Sequence, residues 1–214
     1  MTASKDFPPC LMMNFPDDSV TTTALLNSLF DLQESTTWAA YEARLRPVLF
    51  GTARRMGLDG CNADEVVQDC LVDVIKGYRK GNYSRDQGRL KSWILAILRN
   101  RVRDHFRSQN RQPDVYSESI FYEMPGPDEL NGFWTKEAQA KIAIDALARL
   151  RRETGIAEKS VTAFELHILR GKDVNSVAVE LNMGVAAVYK ACQRCTTRFQ
   201  EMSTDIQEAY GFDL

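Results

Sequence analysis

Residues 173–190 read DVNSVAVELNMGVAAVYK. Val174, Val177, Ala178 and Leu181 fall at i, i+3, i+4 and i+7, the spacing of one buried stripe on a short helix. Asn182 follows, and asparagine tolerates the left-handed backbone that a tight turn needs. Met183 can plug the corner, and Gly184 is an acceptable N-cap. The pattern predicts a second helix from Val185 to about Met202, burying Val188, Cys192, Cys195 and Phe199. A short helix, a tight turn and a longer helix make a helix-turn-helix, whose second helix can enter the major groove of DNA with its N-terminal residues leading.

The outward positions of that second helix are Ala186, Tyr189, Lys190, Gln193, Arg194 and Thr197. Lys190 and Arg194 can reach phosphates or guanine, Gln193 can pair with adenine, and Ala186 and Ala187 can meet thymine methyls. The alternative is an ordinary helical hairpin with a solvated cationic face. Cys192 and Cys195 form a C-x-x-C, but both fall on the inward stripe with no second ligand pair nearby, so packing is favoured over metal or redox chemistry.

Lys91 to Arg111, KSWILAILRNRVRDHFRSQNR, holds six Lys/Arg and one acid, the strongest basic cluster of the chain. Ala96, Asn100, Arg103 and Arg107 share one helical face, while Trp93, Ile94, Ile97, Leu98, Val102 and Phe106 supply the apolar side. A basic face backed by an apolar one suits nucleic-acid contact, or else a solvated amphipathic helix. The loop before it, Gly81 to Arg89, is polar with one aromatic. Tyr83 offers a stacking surface there and Asn100 a two-sided hydrogen-bonding amide, the groups that cradle an unstacked base.

Residues 62–75, NADEVVQDCLVDVI, begin with a capping signature in which Asn62 is the expected N-cap and Glu65 reaches back. Val66, Val67, Cys70, Leu71 and Val74 face inward. Asp64, Glu65, Gln68, Asp69 and Asp73 form an acidic outer surface, which docks a partner only if that partner is basic.

Helical periodicity runs from Thr37 to about Arg111 and resumes near Lys136 to about Gln207, with no alternating run that suggests a sheet. Between them Pro113, Pro125, Gly126 and Pro127 interrupt, and Asp114, Glu118, Glu123, Asp128 and Glu129 dominate, as in an acidic linker. The fold expected is all-α: two small helical domains joined by a linker, the C-terminal one a helix-turn-helix domain. Residues 1–20 read as a flexible extension, 21–109 as the first domain (with a small helix within Thr21–Leu32), 110–135 as the linker and 136–207 as the second domain.

The chain has 214 residues, 44% hydrophobic and 26% charged, with a net charge of −2, so cationic surfaces must be sought locally. No stretch approaches the roughly 18 apolar residues of a membrane span. Met1 to Cys10 lacks the apolar core of a secretory signal. Five cysteines at irregular spacing argue for a reducing, cytoplasmic setting. His105 and His167 have no facing acid cluster, and no phosphate loop, metal-ligand spacing or nucleophile–base pair is visible. A catalytic site, a metal and a cofactor are therefore not expected.

Taken in order, these segments resemble the extracytoplasmic-function subfamily of bacterial RNA polymerase sigma factors over about residues 22–109 and 137–203. The first part, with Trp38, AYEARLRPVLFGTARRMGL, ADEVVQDCLVDVI and GRLKSWILAILRNRVRDHFR, resembles sigma region two. Gln68-Asp69 and Trp93…Arg99-Asn100 are its most specific marks. VAVELNMGVAAVYKACQRC resembles the region-four helix-turn-helix, with Asn182 in place of the usual turn glycine and Gly184 in place of a polar N-cap.

The resemblance implies that Glu65, Gln68 and Asp69 dock on core RNA polymerase. It implies that Tyr83, Arg89, Trp93, Asn100, Arg103 and Arg107 hold the minus-ten element of promoter DNA as an everted non-template strand. It further implies that Ala186, Tyr189, Lys190, Gln193 and Arg194 read the minus-thirty-five element as duplex, and that the acidic tether lies in the RNA-exit channel. An anti-sigma factor would be a further partner; no membrane partner is implied. The rival reading is a helix-turn-helix regulator that never binds core polymerase, for which neither the Gln68-Asp69 helix nor the Asn100 helix is needed.

Overall fold

The computed structural model describes residues 35–84, 86, 88–109, 124–153 and 155–210. Among these all regular structure is helical and no strand occurs, so the all-α expectation holds. The N-terminal extension, the short helix expected within Thr21–Leu32 and linker residues 110–123 lie outside the described residues, as does the side chain of Trp38. The described residues fall into two compact units that divide between Lys141 and Ile142.

The first unit is built on α1 (Ser35–Arg55), α2 (Gly60–Arg79) and α3 (Leu90–Gln109), with α2 packed against both of the others. α1 buries Leu45, Val48, Leu49, Thr52 and Ala53, a stripe at three- and four-residue spacing, and Met56 just past its end is buried with them. Thr52 sits in that stripe because its hydroxyl donates to the Val48 carbonyl at 2.8 Å. Pro47 interrupts the helical ladder from within α1. Pro47 and Ala43, whose carbonyl it leaves without its usual donor, are both exposed, so water can satisfy that carbonyl. α1 ends at Gly57, whose φ of 93° lets the Leu58 N–H turn back to the Ala53 carbonyl.

The N-cap of α2 is Asp59, not Asn62 as the sequence pattern suggested. The Asp59 carboxylate accepts the Asn62 backbone N–H at 2.9 Å and the Asn62 side-chain amide at 2.7 Å. Asn62 is thereby consumed inside the first turn, and the backbone hydrogen bond holds the Asp59 carboxyl below the usual carboxylate range. The inward stripe of α2 is as expected: Val66, Val67, Cys70, Leu71 and Val74 are buried, joined by Ala63 and Tyr78. α3 meets it with Leu90, Ile94, Leu95, Leu98 and Val102. Each such side chain taken from water contributes about 1.5–3 kcal/mol before conformational entropy is charged against it.

α4 (Pro127–Glu153) begins nine residues before Lys136, where the helical pattern resumes in the sequence. Pro127 and the acids that read as linker chemistry are equally helix-start chemistry. Proline suits the first helical position, and Asp128 and Glu129 face the positive end of the helix dipole. Its leading part buries Leu130, Trp134 and Ala138. Glu137 pairs with Arg55 of α1 at 2.6 Å and packs directly over Gly51, where a Cβ would lie 2.0 Å from a Glu137 oxygen.

The second unit contains the remainder of α4, with Ile142, Ala146 and Leu150 buried. There follow α5 (Glu158–Phe164), a π-helical turn (Glu165–Leu169), α6 (Val174–Glu180) and α7 (Val185–Tyr210). Phe164 and Phe199 meet at its centre with ring centroids 5.2 Å apart. Arg151 and Arg170 both donate to the carboxylate of Glu165.

Candidate nucleic-acid interface

Three surfaces carry the residues singled out in the sequence. The first is the outer face of α2. Glu65, Gln68 and Asp69 are all exposed on it. They do not stand there alone. Arg46 of α1 donates to Glu42 at 2.6 Å, to Asp64 at 3.4 Å and to the side-chain oxygen of Gln68. Gln68 is thus engaged through its oxygen while the residue stays exposed. Arg101 of α3 closes the other end, 3.7 Å from Asp69 and bonded to Asp73. The hydrogen bond that Arg101 donates to Asp73 raises the guanidinium pKa above its ordinary value. The acidic face is therefore framed by two arginines from neighbouring helices. The sequence reading missed both roles, because only the helix register brings them there.

The second surface is an open groove of about 530 Å³ between α2 and α3. Trp93 and Ile97 line its apolar part, Asn82 and Asn100 present amides, and Lys76 and Lys80 supply cations. Trp93 lies close on α2 because residue 77 is glycine; a Cβ there would sit 2.9 Å from the indole. The Tyr83 ring packs 5.4 Å from Trp93 and 6.3 Å from Tyr78, and its hydroxyl donates to the Gly88 carbonyl at 3.2 Å. Tyr83 is thus half-buried and braces Trp93 in place of standing free in the loop.

Trp93 and Asn100 are brought together in the groove. Arg89, Arg103 and Arg107 are exposed but are not among its lining residues. Lys76, Lys80 and Asn82 were not anticipated. Their signal, the stretch KGYRKGN at 76–82, is a basic end on a helix whose first half is acidic.

The third surface is formed by α6, the turn that follows it and α7. Asp173 caps α6 by accepting the Ser176 N–H at 3.0 Å. Val177 and Ala178 are buried, and the turn passes through Asn182 at φ 48°, the left-handed conformation expected of it. The Gly184 carbonyl accepts from Val188 at 3.0 Å as α7 begins. Val188, Cys192, Cys195 and Phe199 are buried as expected, and the stripe continues through Ser203 and Ile206 because the helix runs on to Tyr210, about two turns beyond Met202. The Cys192 and Cys195 thiols approach the carbonyls of Ala163 and Ser160, and burial pushes both thiols up in pKa, which suits packing and not metal or redox chemistry.

Ala186, Tyr189, Lys190, Gln193, Arg194 and Thr197 are exposed together along the outer side of α7. The Tyr189 ring meets the edge of His167, whose Nδ1–H donates to the Lys172 carbonyl at 2.8 Å. His105 pairs with Gln109 at 3.0 Å. No helix among the described residues is long and apolar enough to cross a membrane.

The first unit thus carries an exposed acidic face and a groove with an indole and two amides, and in the second unit α7 exposes Lys190 and Arg194 on its first half. Residues 43–112 match the family model described as Sigma-70 region 2. The match covers about a third of the chain.

Proposed function

We propose that this chain, with a sigma-70 region 2 match over residues 43–112, is an RNA polymerase sigma factor of the extracytoplasmic-function type. It would be a non-enzymatic promoter-specificity subunit acting in the cytoplasm. The observation that supports this reading is the succession in one chain of that match and a short helix, tight turn and longer helix whose first half exposes Lys190 and Arg194. On this reading the domains are 21–109 and 136–207, joined by residues 110–135, the last nine of which already belong to α4.

Glu65, Gln68 and Asp69 would dock on basic helices of core polymerase, and Arg46 and Arg101 would hold their side chains in place. The groove between α2 and α3 would accept an everted base of the minus-ten element. The base would stack against Trp93 and hydrogen-bond to Asn100, with Tyr83 as the brace behind the indole. Arg89, Arg103 and Arg107 would track the flanking phosphates. Everting a base costs a few kcal/mol, and stacking on an aromatic ring returns about 1–3 kcal/mol of it. Ala186, Tyr189, Lys190, Gln193 and Arg194 would face duplex DNA at the minus-thirty-five element. An anti-sigma factor is a further proposed partner.

Run-off transcription by core enzyme on a promoter library, with and without the chain, tests the proposal. Initiation at defined sites that depends on the chain is the expected result. Duplex binding with no association with core polymerase would instead leave a plain helix-turn-helix regulator.

A further inference from the structure

The first turn of α7 is unusual for a surface that reads DNA. Gly184, Val185, Ala186, Ala187 and Val188 carry no side-chain donor or acceptor. Val185 is 38% exposed, Ala186 and Ala187 are exposed, and open space lies beyond Gly184, where a Cβ would meet nothing within 4 Å. The cations begin one turn later, at Lys190 and Arg194, and Lys159 flanks the turn, where its Nζ donates to the Asn182 carbonyl at 3.2 Å. An apolar leading patch is therefore flanked by cations, a charge pattern that fits a polyanion and not an apolar protein partner.

In the major groove every base pair presents donors and acceptors, but of the four unmodified bases thymine alone presents a methyl group. A side-chain surface without hydrogen-bonding atoms cannot tell guanine, adenine and cytosine apart by pairing. It gains from thymine by removing the 5-methyl from water.

We propose that Val185 and Ala186 make this chain's duplex specificity at the leading turn of α7 a thymine-methyl selection, with Lys190 and Arg194 fixing register on the neighbouring phosphates. This deepens the reading of the second unit as a duplex reader and rests on it. Tyr189 contributes from the next turn, 53% exposed and in T-shaped contact with the His167 ring.

The test uses duplexes that the full chain enriches from a randomised pool, each remade with deoxyuridine at one thymine at a time. Deoxyuridine pairs as thymine does and lacks only the methyl. One or two positions are expected to lose about four-fold in affinity, the equivalent of one buried methyl group, with the remaining thymines unaffected. In Val185→Ala or Ala186→Gly that four-fold penalty shrinks toward one. The comparison is made within each variant, so any loss of folded protein cancels.

Sequence-selective binding that is indifferent to deoxyuridine at every thymine overturns the methyl selection and leaves the duplex reading standing. A chain that enriches no duplex overturns both.

Discussion

Arg101 of α3 closes on Asp73 of α2, with its Nη2 2.5 Å and its Nε 2.6 Å from the same carboxylate oxygen. The pair is about one-third exposed on each side, so solvent screens it and its value lies below that of a buried ion pair. It nevertheless joins the helix of the acidic face to the helix of the groove, and Arg101 also reaches toward Asp69.

Arg101→Ala is expected to cost about 1–2 kcal/mol, since two charge-assisted hydrogen bonds are lost. For a chain of this size that lowers the melting temperature by roughly 3–6 °C. Arg101→Lys restores only part, because an ammonium cannot present two fixed donors to one oxygen. Thermal denaturation of the full chain followed by circular dichroism measures both variants.

Gly77→Ala moves the groove's apolar floor. The new methyl meets the Trp93 indole at 2.9 Å, so the ring must shift. Replacing glycine within a helix returns up to about 1 kcal/mol of propensity, which offsets much of the crowding. Stability is therefore expected to change little, while tryptophan emission shifts and affinity for single-stranded DNA falls. Fluorescence with a Trp93→Phe control isolates the indole concerned.

Asn100→Ala and the pair Gln68→Lys with Asp69→Lys are expected to separate two functions. The first should weaken promoter opening while binding to core polymerase stays intact, since Asn100 is exposed on the groove and not on the acidic face. The second places a cation against Arg46 and should damage core binding with the helical signal retained. Core pull-down and permanganate footprinting of the opened strand distinguish them. A loss of core binding in Asn100→Ala would mean that its role lies in folding.

Glu165 links acidity to the stability of the second unit. Burial opposes its charge, but hydrogen bonds from Arg170 and Arg151 prevail and hold its carboxyl below the usual value of 4.5. A folded pKa below the unfolded one means that the stabilisation is fully present above about pH 4.5 and is lost as pH falls through the folded value. Glu165→Gln is expected to cost about 1–3 kcal/mol at neutral pH and to flatten the acid limb of a stability–pH profile measured by urea denaturation.

The residues that were legible in advance are those set by a single helix's own periodicity. The inward stripes of α2 and α7 and the left-handed Asn182 depend on local spacing and backbone sterics, which are written along the chain. The α2 cap was misassigned because aspartate and asparagine stand three residues apart and both satisfy a first turn; only the bond between them decides. The start of α4 was hidden because proline and acids serve linkers and helix starts alike. Arg46 and Arg101 take their meaning from the register between helices. Lys76 and Lys80 were overlooked because the reading of the acidic segment stopped at Ile75, before the charge changes sign toward the end of α2.

The π-helical turn at Glu165–Leu169 has a consequence for how the second unit tolerates length change. Such a turn is an ordinary helix holding one surplus residue. Excising a residue here would regularise the coil, but each residue carries about 100° of rotation, and His167 would swing off Tyr189. The flank of the helix bearing Lys190 and Arg194 would lose its lateral prop. The extra residue is thus a spacer whose removal would loosen α7 at its leading end.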